Sequence, residues 1–160
     1  MESGAVIMRE RECLSATLRA ELLPSLRGRV FHVTTAEAFP KIQAHGFIGT
    51  NKDGSLRAPR YRGYFAAQDC VSFCDLRGSD AEISDGLEKY NFLNPNHGDA
   101  PVFLFLREEC YGKLIVWSDE LRAASMEHMI VWHIESGYPG AVPLSCIEDE
   151  ALAVTVHSSW

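Results

Sequence analysis

The run PVFLFL at residues 101–106 most limits the folds open to this chain, because a continuous apolar run of this length is typical of a buried strand. A second β-rich run, RVFHVTT, begins at residue 29, and a third, ALAVTVH, begins at residue 151. Segments with helical spacing and turn-forming segments lie between them. The sequence therefore predicts an α+β domain, with neither a βαβ repeat nor a glycine-rich nucleotide motif.

The other segments are assigned by their spacing and their turn formers. Apolar residues at intervals of three and four predict an N-terminal amphipathic helix over residues 8–26. The next helix is expected to begin near Phe39 and to end at Gly46. Further along the chain, GYFA predicts a short strand and AQDCVSFCDLRG predicts a helix. Residues 78–101 are expected to form a long surface excursion. After it, SDELRAASM predicts a short helix and HMIVWHIES predicts a strand.

Length and charge bound the class of protein. The 160 residues fit a single domain, in which residues 1–28 form an N-terminal helical segment. A net charge of −7 gives no overall basic surface for nucleic acid. Neither a membrane span nor a secretory signal is evident, so we expect a soluble, cytoplasmic protein. In that setting the five cysteines are expected to be reduced thiols: Cys13, Cys70, Cys74, Cys110 and Cys146.

His32 is the first candidate for a ligand-binding residue, because it lies where the RVFHVTT strand meets the next helix. A lone histidine in an apolar strand is usually a core residue. Here Thr34 and Thr35 add hydroxyls at the same helix start. That combination suits a ligand with sugar hydroxyls or a carboxamide.

Tyr64 and Glu127 are the other two candidates. Tyr64 follows a basic segment and either packs as a strand aromatic or presents a flat face to a planar ring. Glu127 precedes an apolar run and is either a surface residue at a helix-to-strand junction or a carboxylate that stabilises a developing cation. The basic segment is equally compatible with a solvated loop and with a phosphate-binding loop; its arginines are Arg57, Arg60 and Arg62.

Three motifs occur in this order along the chain: H-x-T at 32–34, G-Y-F-A at 63–66 and M-E-H-M-I-V-W at 126–132. Together they resemble the His-Tyr-Glu series of the ADP-ribosyltransferase superfamily, in the branch of diphtheria toxin and the poly(ADP-ribose) polymerases. The resemblance covers residues 29–156. It implies a split β-core that binds NAD+ as a substrate and needs no metal. The implied reaction transfers ADP-ribose to a macromolecular acceptor, protein being slightly favoured over nucleic acid, with release of nicotinamide, as in a small toxin-like transferase.

The resemblance also implies a role for each matching residue. His32 would bind ribose hydroxyls, the Val33 backbone would contact the nicotinamide amide, and Thr34 would supply the motif hydroxyl. Tyr64 would stack on the nicotinamide, and Phe73 is the nearest residue to the second stacking aromatic. Glu127 would stabilise the oxocarbenium-like state, with Glu135 as the second choice. Arg57, Arg60 and Arg62 are candidate phosphate or acceptor contacts.

The chain departs from the family pattern at two positions. Val33 replaces the glycine of H-G-S/T, and no tyrosine follows G-Y-F-A where a second stacking tyrosine is expected. Both departures are compatible with a module that kept the fold and lost the chemistry. An RNA 2′-phosphotransferase is a further alternative of the same fold, although its phosphate would need more basic residues. The acceptor and the oligomeric state stay open.

Overall fold

The computed structural model describes residues 5–50, 64–89, 100–124 and 130–157. In chain order its strands are β1 Ile7–Leu14, β2 Val30–Thr35, β3 Phe47–Ile48, β4 Cys70–Asp75, β5 Pro101–Phe105, β6 Glu135–Pro139, β7 Val142–Pro143 and β8 Glu150–His157. The α-helices are α1 Leu18–Leu26, α2 Phe39–His45, α3 Tyr64–Ala67, α4 Asp80–Lys89 and α5 Asp119–Ala124. Short 3-10 helices cover Ser15–Thr17, Glu108–Lys113 and Leu144–Cys146.

Six of the strands form one sheet in the order β1-β8-β5-β2-β4-β6. Its pairs are antiparallel except for β1 with β8, which are parallel. β3 and β7 form a separate antiparallel pair. The chain is therefore a mixed α+β protein with a mostly antiparallel sheet, which confirms the predicted fold class at that level.

The hydrophobic core lies on both faces of this sheet, because β5 is buried along its whole length. On one face, Val30 packs with Val102 and Leu104. On the other, Phe31 packs with Phe103, and their ring centroids lie 5.4 Å apart in an edge-to-face arrangement. The leucines of α1 cover that second face.

The N-terminal helix predicted over residues 8–26 is wrong for its first half. Residues 7–14 form β1, which pairs with β8 along its full length, and only Leu18–Leu26 are α-helical. β1 is an edge strand whose charged residues are largely exposed on both faces, so it lacks the alternation of apolar and polar residues that marks a half-buried strand. Cys13 and Leu14 matched a helical spacing only because α1 follows directly.

Two assignments around Tyr64 are reversed. GYFA, predicted as a strand, contributes to α3, and CVSFCD, predicted as part of a helix, is β4. β4 lies between β2 and β6, so pairing on both sides outweighs local helix preference. The predicted strand HMIVWHIES is also wrong over residues 130–134, which form a bend and a turn before β6 begins at Glu135.

Several boundaries agree with the predictions. α2 begins at Phe39 and ends at Gly46, whose φ of 81° is the left-handed cap that glycine favours. α5 is capped by the Ser118 hydroxyl, which accepts the Leu121 N–H at 3.1 Å. The surface excursion predicted for residues 78–101 differs from the structure, because its first part forms the ten-residue helix α4.

The cysteines differ from the prediction of five reduced thiols. Cys110 and Cys146 form a disulfide, whereas Cys13, Cys70 and Cys74 are free thiols. Spacing alone could not identify the pair, because the two residues are 36 positions apart in the sequence. Across the described ranges, every helix is too short or too polar to cross a membrane.

Candidate active site

The candidate site forms where β2 and β4 separate. The two strands pair at Val30 with Asp75 and at Phe31 with Cys74, and over the rest of their described lengths no further pair forms. Beyond that point, the half-buried His32 side chain makes the contact between the strands. Its Nδ1 atom lies 2.8 Å from the carbonyl oxygen of Ser72. A side chain has therefore replaced the backbone ladder at this position.

Ser72 forms hydrogen bonds with both His32 and a half-buried carboxylate. Its carbonyl accepts from His32, and its hydroxyl donates to Glu135 Oε2 at 2.8 Å. Because Ser72 lies opposite Gly137 in the β4–β6 register and Glu135 is two residues before Gly137, Ser72 and Glu135 share one face of the sheet. His32 projects from the other face and meets Ser72 through its backbone.

Glu135 is held on both of its oxygens. Oε2 accepts from Ser72, and Oε1 accepts the Val131 N–H at 2.9 Å. Burial raises the pKa of the Glu135 carboxyl above its ordinary value, and the hydrogen bonds from Val131 and Ser72 oppose that rise. Glu135 is thus a mostly desolvated carboxylate with fixed geometry, the arrangement that strengthens its interaction with a nearby positive charge.

Tyr64 lies on the Glu135 side of the sheet. It opens α3, whose Phe65 is fully buried against Gly137. A Cβ atom at position 137 would lie 2.1 Å from the Phe65 ring, so only glycine permits this approach. Tyr64 itself is half-buried in an aromatic cluster that includes Trp117 and Trp132. α3 is therefore docked on β6 two residues from the carboxylate.

The H-x-T residues occupy β2 as follows. Val33 lies opposite Phe103, and its side chain packs against the core face opposite to His32. The Val33 side chain therefore points away from the face that His32 occupies. This orientation is the one needed if Val33 is to replace the glycine of the H-G-S/T motif. Thr34 is 7% exposed and lies opposite Val102.

The prediction that Phe73 is a helical residue close to the second stacking aromatic is wrong. Phe73 lies in β4 rather than on a helix, and it is 1% exposed. Its ring centroid lies 5.8 Å from that of His32 and 6.4 Å from that of Tyr138. A ring buried in this way supports His32 from the core and offers no face to a ligand.

Glu127 and the arginines Arg57, Arg60 and Arg62 lie outside the described residues. Of the two candidate carboxylates, Glu135 is therefore the one whose contacts are known.

Ser72 is the site residue that the sequence did not predict. It was hidden in a segment interpreted as a helix, where a serine carries no strong signal. Read as a strand, CVSFCD places Val71 and Phe73 on the core face and Ser72 on the opposite one. A polar residue between two buried apolar ones was the available signal.

A surface cavity of about 380 Å³ opens elsewhere, at the start of β2. Its arginines are already paired with acidic residues: Arg29 lies 3.1 Å from Glu148 and Arg107 lies 2.6 Å from Asp149. His32, Ser72 and Glu135 are not among its lining residues. Within the described part of the chain, no group of three or more acidic, cysteine or histidine side chains is arranged to hold a metal ion.

Comparison with known proteins returned no matching family model, no matching curated protein and no matching solved structure. The sequence motifs and the geometry around Ser72 are therefore the observations that bear on function.

Proposed function

We propose that this protein is an NAD+-dependent ADP-ribosyltransferase, which moves ADP-ribose from NAD+ to a macromolecular acceptor and releases nicotinamide. The single observation that supports this most is the break between β2 and β4, where Ser72 accepts from His32 through its carbonyl and donates to the half-buried Glu135, on the opposite face of the sheet, through its hydroxyl.

His32 has the chemistry needed for a ribose contact. A carbonyl oxygen only accepts hydrogen bonds, so the contact with Ser72 requires a proton on Nδ1. In the neutral ring Nε2 is then an acceptor, which matches the hydroxyl donors of a ribose. His32 acts in this proposal as a binding residue and transfers no proton.

Glu135 supplies the electrostatic part of the reaction. As the bond between the ribose C1′ and the nicotinamide nitrogen breaks, its electron pair goes to the nitrogen and positive charge develops on the ribose. A fixed, desolvated carboxylate stabilises that charge. The acceptor nucleophile then bonds to C1′ and releases its proton to solvent. Glu127 is the alternative for this role.

The acidic composition favours a protein acceptor slightly over nucleic acid. The disulfide between Cys110 and Cys146 favours passage through an oxidising compartment over permanent residence in the cytoplasm. Both features fit a transferase that is delivered into another cell.

The alternative is a module that binds NAD+ or ADP-ribose without turnover. The burial of Phe73 favours it, because that residue cannot serve as the second stacking aromatic.

The test is nicotinamide release from NAD+ by the full chain. We expect Glu135→Gln to lower the rate by about 10²- to 10³-fold, as when one electrostatic contact to a transition state is removed. Because burial raises the pKa of Glu135, the rate should fall on acidification at a higher pH than for an ordinary glutamate. Glu88→Gln, an exposed carboxylate on α4, is the matched control.

Each outcome decides between the alternatives. If Glu127→Gln abolishes release and Glu135→Gln does not, the reaction stands and the carboxylate is Glu127. Binding of NAD+ without release under any acceptor condition establishes the module. A chain that neither binds NAD+ nor releases nicotinamide overturns the proposal.

A further inference from the structure

The Glu135 carboxylate is tied to the turn that precedes it. Val131 donates its N–H to Glu135 Oε1 at 2.9 Å, and Val131 accepts the Glu135 N–H through its carbonyl at 3.0 Å. The side chain and the backbone of Glu135 therefore both bond to one residue four positions earlier. The conformation of residues 131–134 consequently sets where the carboxylate lies.

That turn contains an unusual backbone conformation. His133 has a φ of 70°, in the left-handed region that residues with a side chain seldom adopt. Such a conformation persists when surrounding contacts hold it. The contacts of His133 therefore bear on what maintains the conformation of the turn.

Two carboxylates of α4 lie beside His133, and only the one of Asp85 is within hydrogen-bond distance of its ring. Its Nε2 lies 3.2 Å from Asp85 Oδ2, and its Nδ1 lies 3.6 Å from Glu82 Oε2. Glu82 is itself fixed, because it forms a capping box with Ser79 at the start of α4. The Trp117 ring lies 5.4 Å from the His133 ring, centroid to centroid.

The backbone of α4 also approaches the turn closely. A Cβ atom at Gly86 would lie 2.8 Å from both the Trp132 carbonyl and Ile134 Cγ2. Ile134 in turn accepts the Asp75 N–H at 2.6 Å, which attaches the turn to the end of β4. The turn is therefore clamped between α4 and the strand that carries Ser72.

We propose that His133 is a positioning residue for Glu135: its contacts with Asp85 and Glu82 fix the turn that directs the Glu135 carboxylate toward Ser72. The catalytic part of this inference rests on the proposed function. The structural part, that the α4 contacts maintain the bond between Val131 and Glu135, does not.

The structural part is tested by amide hydrogen exchange on the full chain. His133→Asn removes the paired ring while keeping a residue that tolerates a left-handed backbone. We expect the Val131 amide to exchange at least about tenfold faster, with the Phe103 amide of β5 unchanged, because only the turn opens. Asp85→Asn should act in the same direction, and it provides the test if His133→Asn fails to fold. Glu88→Gln removes a charge from the same helix and should change neither amide.

The catalytic part is tested by the kinetics of nicotinamide release. A misdirected carboxylate should lower kcat on the order of tenfold to a hundredfold, with KM for NAD+ within about twofold of the wild type. The double variant His133→Asn with Asp85→Asn should be no slower than the worse single variant, because both changes remove one contact.

Unchanged exchange at Val131 in folded variants would overturn the inference, whatever the activity. Faster exchange with an unchanged kcat would overturn the catalytic role of His133. A wild-type chain that releases no nicotinamide would count against the proposed function instead, and the exchange measurement would still decide whether α4 holds the turn.

Discussion

β2 has two unlike neighbours. Toward β5 it pairs at five successive positions, from Phe31 to Thr35, and the aromatic rings of the two strands interlock beneath the sheet. Toward β4 it pairs at two positions, and the next contact is made by the His32 side chain. One strand thus has a side maintained by apolar burial and a side maintained by a few polar contacts.

The difference shows how a sheet can be stable on one side of a strand and still have a break in its backbone pairing on the other. Toward β5, a continuous backbone ladder is combined with apolar burial, which is not directional, so the register there does not depend on a polar side chain. The β4 side depends on hydrogen bonds with fixed geometry, which is the property a binding site requires. We therefore expect changes on the β5 side to reduce stability and changes on the β4 side to reduce function.

Phe103→Ala should have the largest effect on stability. Phe103 is fully buried opposite Val33, so its truncation should lower the free energy of unfolding by about 3–5 kcal/mol, measured by urea denaturation. Nicotinamide release per folded molecule should remain close to the wild-type value. Phe47→Ala, at an exposed phenylalanine, is the control and should cost less than about 1 kcal/mol. An equal loss for both variants would contradict the assignment of the core.

Gly137→Ala tests whether α3 packs on β6. The added methyl group overlaps the Phe65 ring, so α3 must shift, and we expect a loss toward the upper end of about 1–3 kcal/mol. Tyr64 moves with α3, so NAD+ binding should weaken as well. Gly112→Ala, where a Cβ atom meets nothing within 4 Å, is the control. Unaltered stability and binding in Gly137→Ala would show that α3 is not seated on β6.

Ser72→Ala should cost the least stability, about 1 kcal/mol, because one hydrogen bond to a half-buried group is removed. Its donation lowers the pKa of Glu135, so its loss should raise that pKa further and move the acid limb of the rate to higher pH. The stability loss should be greatest where Glu135 is ionised and shrink as pH falls and the carboxyl is protonated. A pH–rate profile identical to the wild type would exclude Ser72 from the site. Ser145→Ala, at an exposed serine, is the control.

The sequence predicted the β5 side better than the β4 side for the same physical reason. PVFLFL is buried throughout and ALAVTVH is partly buried, and apolar runs of this kind form a local pattern that is read without knowing the neighbours. β4 was mistaken for a helix because its pairing partners are distant in the sequence. β1 was mistaken for a helix because an edge strand exposed on both faces has no apolar period.

For the site, the sequence identified the residues with distinctive chemistry but not those that position them. His32 was named because it lies at the end of an apolar strand, and Glu135 was named only as the second choice after Glu127, from the resemblance. Ser72 and His133 were not, because their importance arises from contacts across strands and with α4. Phe73 was given a ligand role by its position after G-Y-F-A, and its burial became clear only with β4 in place.

The charges along β1 have a consequence for crowded solutions of this protein. Alternation places Arg9 and Arg11 on one face of the strand and Glu10 with Glu12 on the other. If the β1 edge of a second copy paired with this one in the antiparallel direction, the arginine faces of the two strands would lie on the same side of the combined sheet. Arginine would then oppose arginine, and glutamate would oppose glutamate. Like charges directly opposite each other destabilise a strand pair. Among the described residues no strand pairs with the outer edge of β1, and this charge pattern disfavours pairing between the β1 edges of two copies.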